Sequence, residues 1–95
     1  VGAAGRISVD AGARAALLTG GSSLLPAGVV SADGGFDEGD AVEVADADGA
    51  VFAKGISRIS ASDLLLVAGL RSSQVPADVS PVAIHRDDLV VLPEG

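Results

Sequence analysis

The sequence predicts a small, mainly β domain of the α+β kind, a closed or half-closed barrel of about six short strands with two short helices. Three observations carry this expectation. The 95 residues suit one domain, 1–95, and no linker or repeat divides them. Short alternating segments recur between glycine turns, the pattern of small barrels. Only two segments have the apolar spacing and capping residues of a helix. Surface scaling puts about 63% of the extended surface out of contact with water, enough for a compact but modest core.

The elements follow in order. Arg6-Ile7-Ser8-Val9 alternates polar and apolar side chains and suits a half-buried strand. Asp10 is placed to cap a helix whose stripe is Ala13, Ala16 and Leu17, and Gly20-Gly21 ends it. Ser22-Ser23-Leu24-Leu25-Pro26 reads as a loop with two apolar anchors. Val29-Val30 begins a second strand, turned at Asp33-Gly34-Gly35, and Phe36 anchors the next turn. Val42 and Val44 alternate with Glu43, and Val51-Phe52-Ala53-Lys54 returns after Asp48-Gly49. That dipeptide predicts a hairpin with a type I′ turn. Ser60 and Asp63 have capping-box spacing before a second helix with Leu64, Val67 and Ala68 on its core face, closed by Gly69. Pro81-Val82-Ala83-Ile84 and Leu89-Val90-Val91-Leu92 read as late strands either side of His85-Arg86-Asp87-Asp88.

Composition excludes several function classes. Cysteine is absent, which removes disulfides and thiolate metal sites. The longest apolar run, Leu64 to Ala68, is far short of the ~20 residues of a membrane span. Six basic against thirteen acidic residues give a net charge of −7, which repels phosphate backbones and anionic membranes. Phe36 and Phe52 are the only aromatics, so stacking platforms for unpaired bases are nearly missing. The chain opens on Val1, with no initiator Met and no signal segment, and reads as a piece of a longer protein.

Catalytic constellations are thin. His85 is the only histidine, so a triad or a histidine-centred metal site must pass through it, and no G-x-S-x-G elbow is present. The reading preferred for His85, Arg86, Asp87 and Asp88 is a structural turn in which Arg86 pairs locally with a carboxylate. Asp46-Ala47-Asp48-Gly49 lacks the remaining ligands of a calcium loop. The Gly20-Gly21-Ser22-Ser23 loop follows a helix instead of opening one, so phosphate capture by a helix N-terminus does not apply. An exposed backbone there would let a ligand or partner chain approach closely. With Arg14, Leu24 and Leu25 it forms the candidate ligand or partner loop.

The motifs resemble one family. Gly5-Arg6-Ile7-Ser8-Val9-Asp10-Ala11-Gly12-Ala13, then Gly21-Ser22-Ser23-Leu24-Leu25-Pro26-Ala27-Gly28, look like the C-terminal PUA domain of glutamate 5-kinase. The match continues through Gly35-Phe36 with Gly39-Asp40, then Ala53-Lys54-Gly55-Ile56-Ser57-Arg58, and ends with Val82-Ala83-Ile84-His85-Arg86-Asp87-Asp88-Leu89. It covers about residues 5–92 in order and spacing.

The resemblance implies a pseudo-barrel of about six strands with short helices. It also implies a cytoplasmic, homo-oligomeric parent enzyme that phosphorylates the γ-carboxylate of L-glutamate, opening proline biosynthesis. ATP and magnesium belong to a kinase domain absent from this chain, and no cofactor is expected in this domain. The implied role is non-catalytic: packing on that kinase domain or a neighbouring subunit, through an exposed apolar patch. The alternative is an RNA-binding module, since related PUA domains bind structured RNA along the first helix and its glycine-rich loop. The matching stretch, Ala13 to Leu25, has one base, Arg14. RNA reading would need a basic groove from Arg6, Arg14, Lys54, Arg58, Arg71 and Arg86. Ile59 stands where the family usually has an aromatic, which implies the loss of a stacking or interface anchor.

Overall fold

The computed structural model describes residues 3–92. Strand β1 (Gly5–Val9) leads into helix α1 (Ala11–Thr19). Strands β2 (Val29–Gly34), β3 (Ala41–Ala45) and β4 (Val51–Ile56) follow, then helix α2 (Ala61–Val67) and strand β5 (Leu89–Val91). They build one sheet in the order β2-β1-β3-β4-β5. Only β1 and β3 run parallel; the other neighbours are antiparallel. The architecture is mixed but mainly β, as the residue pattern requires.

Alternation decides which face is buried. Ile7 and Val9 of β1, Val42 and Val44 of β3, and Ala53 of β4 are fully enclosed, while Arg6, Glu43 and Lys54 between them face water. The core is completed by Leu17 of α1, Leu64 and Val67 of α2, and the loop residues Leu24, Phe36, Ile59 and Ile84. Burying each large side chain contributes about 1.5–3 kcal/mol.

Both helices start where the capping residues predict. Asp10 Oδ1 accepts the Ala13 N–H at 2.7 Å, and Ser60 Oγ accepts the Asp63 N–H at 3.3 Å. Helix α1 ends at Gly20, and Gly20 and Gly21 both have positive φ. Helix α2 packs against β2. It is tied to the rest at both ends, by Ala61 N–H to the Phe36 carbonyl and Gly69 N–H to the Pro26 carbonyl.

Three local expectations are corrected. The β3–β4 connection is not type I′, because that turn needs positive φ at two successive residues and only Gly49 has it. Instead the Gly49 N–H donates to the Asp46 carbonyl, and Asp46 Oδ1 accepts the N–H groups of Asp48 and Ala50 at 2.9 and 3.0 Å. The side chain of Asp46 therefore organises the turn, with Gly49 supplying the left-handed residue. Strand β2 runs on through the expected Asp33-Gly34 turn. The expected Pro81–Ile84 strand is reduced to a single bridge between Ile84 and Leu24. Its backbone is shared among several partners: the Arg58 N–H donates to the Ala83 carbonyl and Ser80 Oγ bonds Val82. Gly55 permits this crossing, since a Cβ there would lie 2.7 Å from the Asp88 carbonyl and 2.8 Å from Ile84 Cγ2.

Candidate functional site

Two of the stretches quoted for the resemblance, Gly21–Gly28 and Val82–Leu89, form one structural unit. The Ile84 carbonyl accepts the Leu24 N–H at 2.9 Å, and the Leu24 carbonyl accepts the Ala83 N–H at 2.8 Å. Beside this bridge, Ser23 Oγ accepts the Arg86 N–H at 3.0 Å, and Arg86 Nη1 donates to the Gly21 carbonyl at 3.4 Å. The glycine loop and the His85–Asp88 turn thus clasp each other. Leu24 anchors the clasp in the core at 1% exposure, whereas Leu25 is 42% exposed, so the loop has one buried anchor instead of two.

His85 caps the short helical turn Arg86–Asp88 by accepting the Asp87 N–H at Nδ1, 3.1 Å. The Asp87 carboxylate lies 3.5 Å from the same nitrogen. The pairing within the turn differs from the expected one. Arg86 reaches to Gly21, and the carboxylate of Asp88 pairs with Arg58 at 3.3 Å. Ser23, the serine brought to this turn, accepts from the Arg86 N–H. Among the described residues no group of three or more His, Asp or Glu side chains is arranged to hold a metal ion.

Arg14 does not join the loop. Its Nε lies 3.6 Å from Asp46 Oδ2 and its guanidinium sits 5.5 Å from the centre of the Phe52 ring. The side chain is spent holding α1 against the β3–β4 hairpin. What remains beside the loop is a groove of about 290 Å³ between α1 and the Pro26–Gly28 turn. Its walls include Ala13, Ala16, Leu17, Leu24, Leu25 and Ala27. Ser23 and the helix-capping Asp10 also line it, so the groove is mainly apolar with one carboxylate at its edge.

The other bases are dispersed. Arg6 pairs with Glu43 at 3.3 Å across β1 and β3, and Lys54 stands opposite Glu43 on β4. Arg71 lies in the loop after α2, where its N–H bonds Gln74. These positions do not line a common groove. Ile59 is 1% exposed in the core, so its position is a packing site and not a surface for stacking. Exposed apolar side chains do occur, among them Leu66 (79%) and Leu65 on α2, Val30 on β2 and Val90 on β5. No described helix is long and apolar enough to cross a membrane.

Sequence reasoning missed two features. Ser57, fully buried, closes the Ser57–Ile59 corner through its hydroxyl, which donates to the Ile59 carbonyl. The signal was a serine between Ile56 and Arg58, which is weak. The second is the charge row Asp33, Arg6, Glu43, Lys54, whose members are neighbours only once strand order and register are known.

Comparison with known proteins agrees with this geometry. The family model described as "PUA domain" matches residues 5–78. Glutamate 5-kinase of Myxococcus xanthus is 47% identical over 94 residues, spanning 95% of this chain and 25% of that protein. A PUA domain from Aeropyrum pernix, solved as a tartrate complex, superposes with a TM-score of 0.67 at 26% identity, over 87% of this chain and 43% of that one. A chain of the archaeal box H/ACA sRNP Nop10–Cbf5 complex gives 0.61 at 26% identity, over 87% of this chain and 25% of that one. The chain spans about a quarter of the length of the curated relatives it matches. With its sheet order, its clasped loops and a family match over most of its length, the chain belongs to the PUA domain family.

Proposed function

We propose that the chain is the non-catalytic accessory domain of a glutamate 5-kinase. It packs on the kinase domain of the same longer chain, or on a neighbouring subunit of a homo-oligomer, and tunes activity or assembly. The observation that carries this reading is the likeness itself, 95% of the chain at 47% identity to one quarter of such an enzyme. The longer enzyme would phosphorylate L-glutamate to L-glutamyl 5-phosphate with ATP and magnesium, the opening step of proline biosynthesis, in the cytoplasm. Those cofactors are assigned to the other three quarters, and no step of that reaction is routed through the residues described here.

Two surface properties support a protein partner. The exposed apolar side chains on α2 and β2 are of the kind that mark protein contacts. The groove beside α1 offers mainly apolar walls, with Asp10 as its one charged lining residue. The test is ATP-dependent phosphorylation of L-glutamate by the longer chain, with and without residues 5–92. The reading expects the chemistry to persist in the shortened enzyme with altered regulation or oligomeric state. No glutamate phosphorylation by the intact longer chain would overturn it.

A second reading, an RNA-binding module, is favoured by the likeness to a chain of an sRNP complex. Charge weighs against it. Arg6, Arg14 and Arg58 are each engaged with a carboxylate, and the net charge is −7. Phosphate contacts need free cations on one face.

A further inference from the structure

We infer that the outer face of the sheet is a self-complementary docking surface for a second copy of this chain. The inference does not depend on the kinase reading. It rests on the row of charges that crosses four adjacent strands: Asp33 on β2 opposite Arg6 on β1, Arg6 beside Glu43 on β3, and Glu43 opposite Lys54 on β4. The alternation is minus, plus, minus, plus. Their neighbours Ile7, Val42, Val44 and Ala53 point into the core, so all four charges stand on the solvent side. At the usual strand spacing of about 4.8 Å the row is about 14 Å long.

Two copies can stack such faces about a two-fold axis lying in the plane between them. An axis along the row sets each charge over its own copy, four like-charge contacts. An axis parallel to the strands, midway between β1 and β3, reverses the row. Asp33 then faces the partner's Lys54 and Arg6 faces the partner's Glu43, and every contact is attractive. Aligned sheets pack within about 30° of each other, which keeps such a short row in register.

The face also carries apolar surface. Val90 of β5 continues the row beyond Lys54, and Ile56 is exposed two residues along β4. With Ala41, Gly55 and Asp88 they surround a shallow groove of about 300 Å³. Five strands at this spacing cover a patch at the small end of specific interfaces, below about 1,200 Å² in total, so the isolated association is weak and transient. Within an oligomeric parent, tethering would raise its effective concentration.

The test exploits a difference between contacts within one copy and contacts between two. Lys54→Asp and Asp33→Lys each place like charges opposite one another in the dimer. The double variant carrying both restores opposite charges between copies. Within each copy it still leaves the introduced lysine beside Arg6 and the introduced aspartate beside Glu43. Sedimentation equilibrium up to millimolar chain, at about 0.15 M salt, screens whole-molecule repulsion beyond about 8 Å while facing pairs still act. The expected result is concentration-dependent dimerisation of the unmodified chain, weakened about tenfold or more in either single variant and regained in the double. A chain that stays monomeric throughout overturns the inference. So does a double variant that behaves like the single ones.

Discussion

Ser23 and Arg86, 63 residues apart, are joined by a hydrogen bond of 3.0 Å from the Arg86 N–H to the Ser23 hydroxyl. This contact closes the clasp between the glycine loop and the histidine turn, which the Leu24–Ile84 bridge begins. It brings together two of the stretches that carry the family resemblance, Gly21–Gly28 and Val82–Leu89. Each supplies half of one joint.

Ser23→Ala leaves the Arg86 N–H without its acceptor in a partly solvated site. The expected cost is about 1 kcal/mol. In a domain of this size that lowers the melting temperature by about 4–8 °C. Thermal unfolding followed by circular dichroism reads this directly, and an unchanged midpoint would show that the clasp holds without the hydroxyl.

Gly55→Ala tests the crossing of the Ala83–Ile84 segment over β4. The added methyl meets the Asp88 carbonyl at 2.7 Å and Ile84 Cγ2 at 2.8 Å, and one of these is backbone that cannot step aside easily. Overpacking of this kind costs about 1–3 kcal/mol. Gly35→Ala is the control, since a methyl there meets nothing within 4 Å. Urea unfolding should show a large loss for the first and neutrality or a slight gain for the second.

Helix α2 separates core from surface within three residues. Leu64 is fully buried, and Leu64→Ala should cost about 2–5 kcal/mol. Leu66 is 79% exposed, and Leu66→Ala should change the stability of the isolated domain by less than about 0.5 kcal/mol. If Leu66→Ala proves as costly as Leu64→Ala in urea unfolding, the helix is rotated from the position described.

The hairpin turn gives a prediction opposite to its dipeptide signature. Asp46→Ala removes the acceptor of two backbone N–H groups and should cost about 1–2 kcal/mol. Asp48→Ala, which alters the Asp-Gly pair itself, should be nearly silent. Equal losses at the two positions, measured as unfolding midpoints, would restore the simpler turn.

Much of the fold was legible because local chemistry and tertiary packing agree. Asp10 and Ser60 cap the helices they precede, and the alternation at Ile7, Val9, Val42 and Val44 places the right side chains inside. The failures lie where long-range contacts override local preference. Pro81–Ile84 looks like a strand, yet its backbone bonds to Leu24 and Arg58 leave it only a bridge. Asp48-Gly49 looks like a two-residue turn, but the Asp46 carboxylate captures the loop first. At the candidate site the glycine loop and the histidine turn were both visible as motifs. Their union was not, because nothing local tells Ser23 that its partner is Arg86. The placement of Arg14 was equally hidden, since Asp46 and Phe52 reach it from another hairpin.

The central proposal is that this acidic surface, with three of its six lysine and arginine side chains paired with carboxylates, meets protein and not a phosphate backbone. A titration of the chain against a structured RNA at low salt, followed by fluorescence anisotropy, tests it most directly. The account predicts no binding even where electrostatic attraction is strongest. Binding that weakens steeply as salt rises would contradict it, because it would require a group of free cations that the Arg6–Glu43, Arg14–Asp46 and Arg58–Asp88 pairs do not leave available.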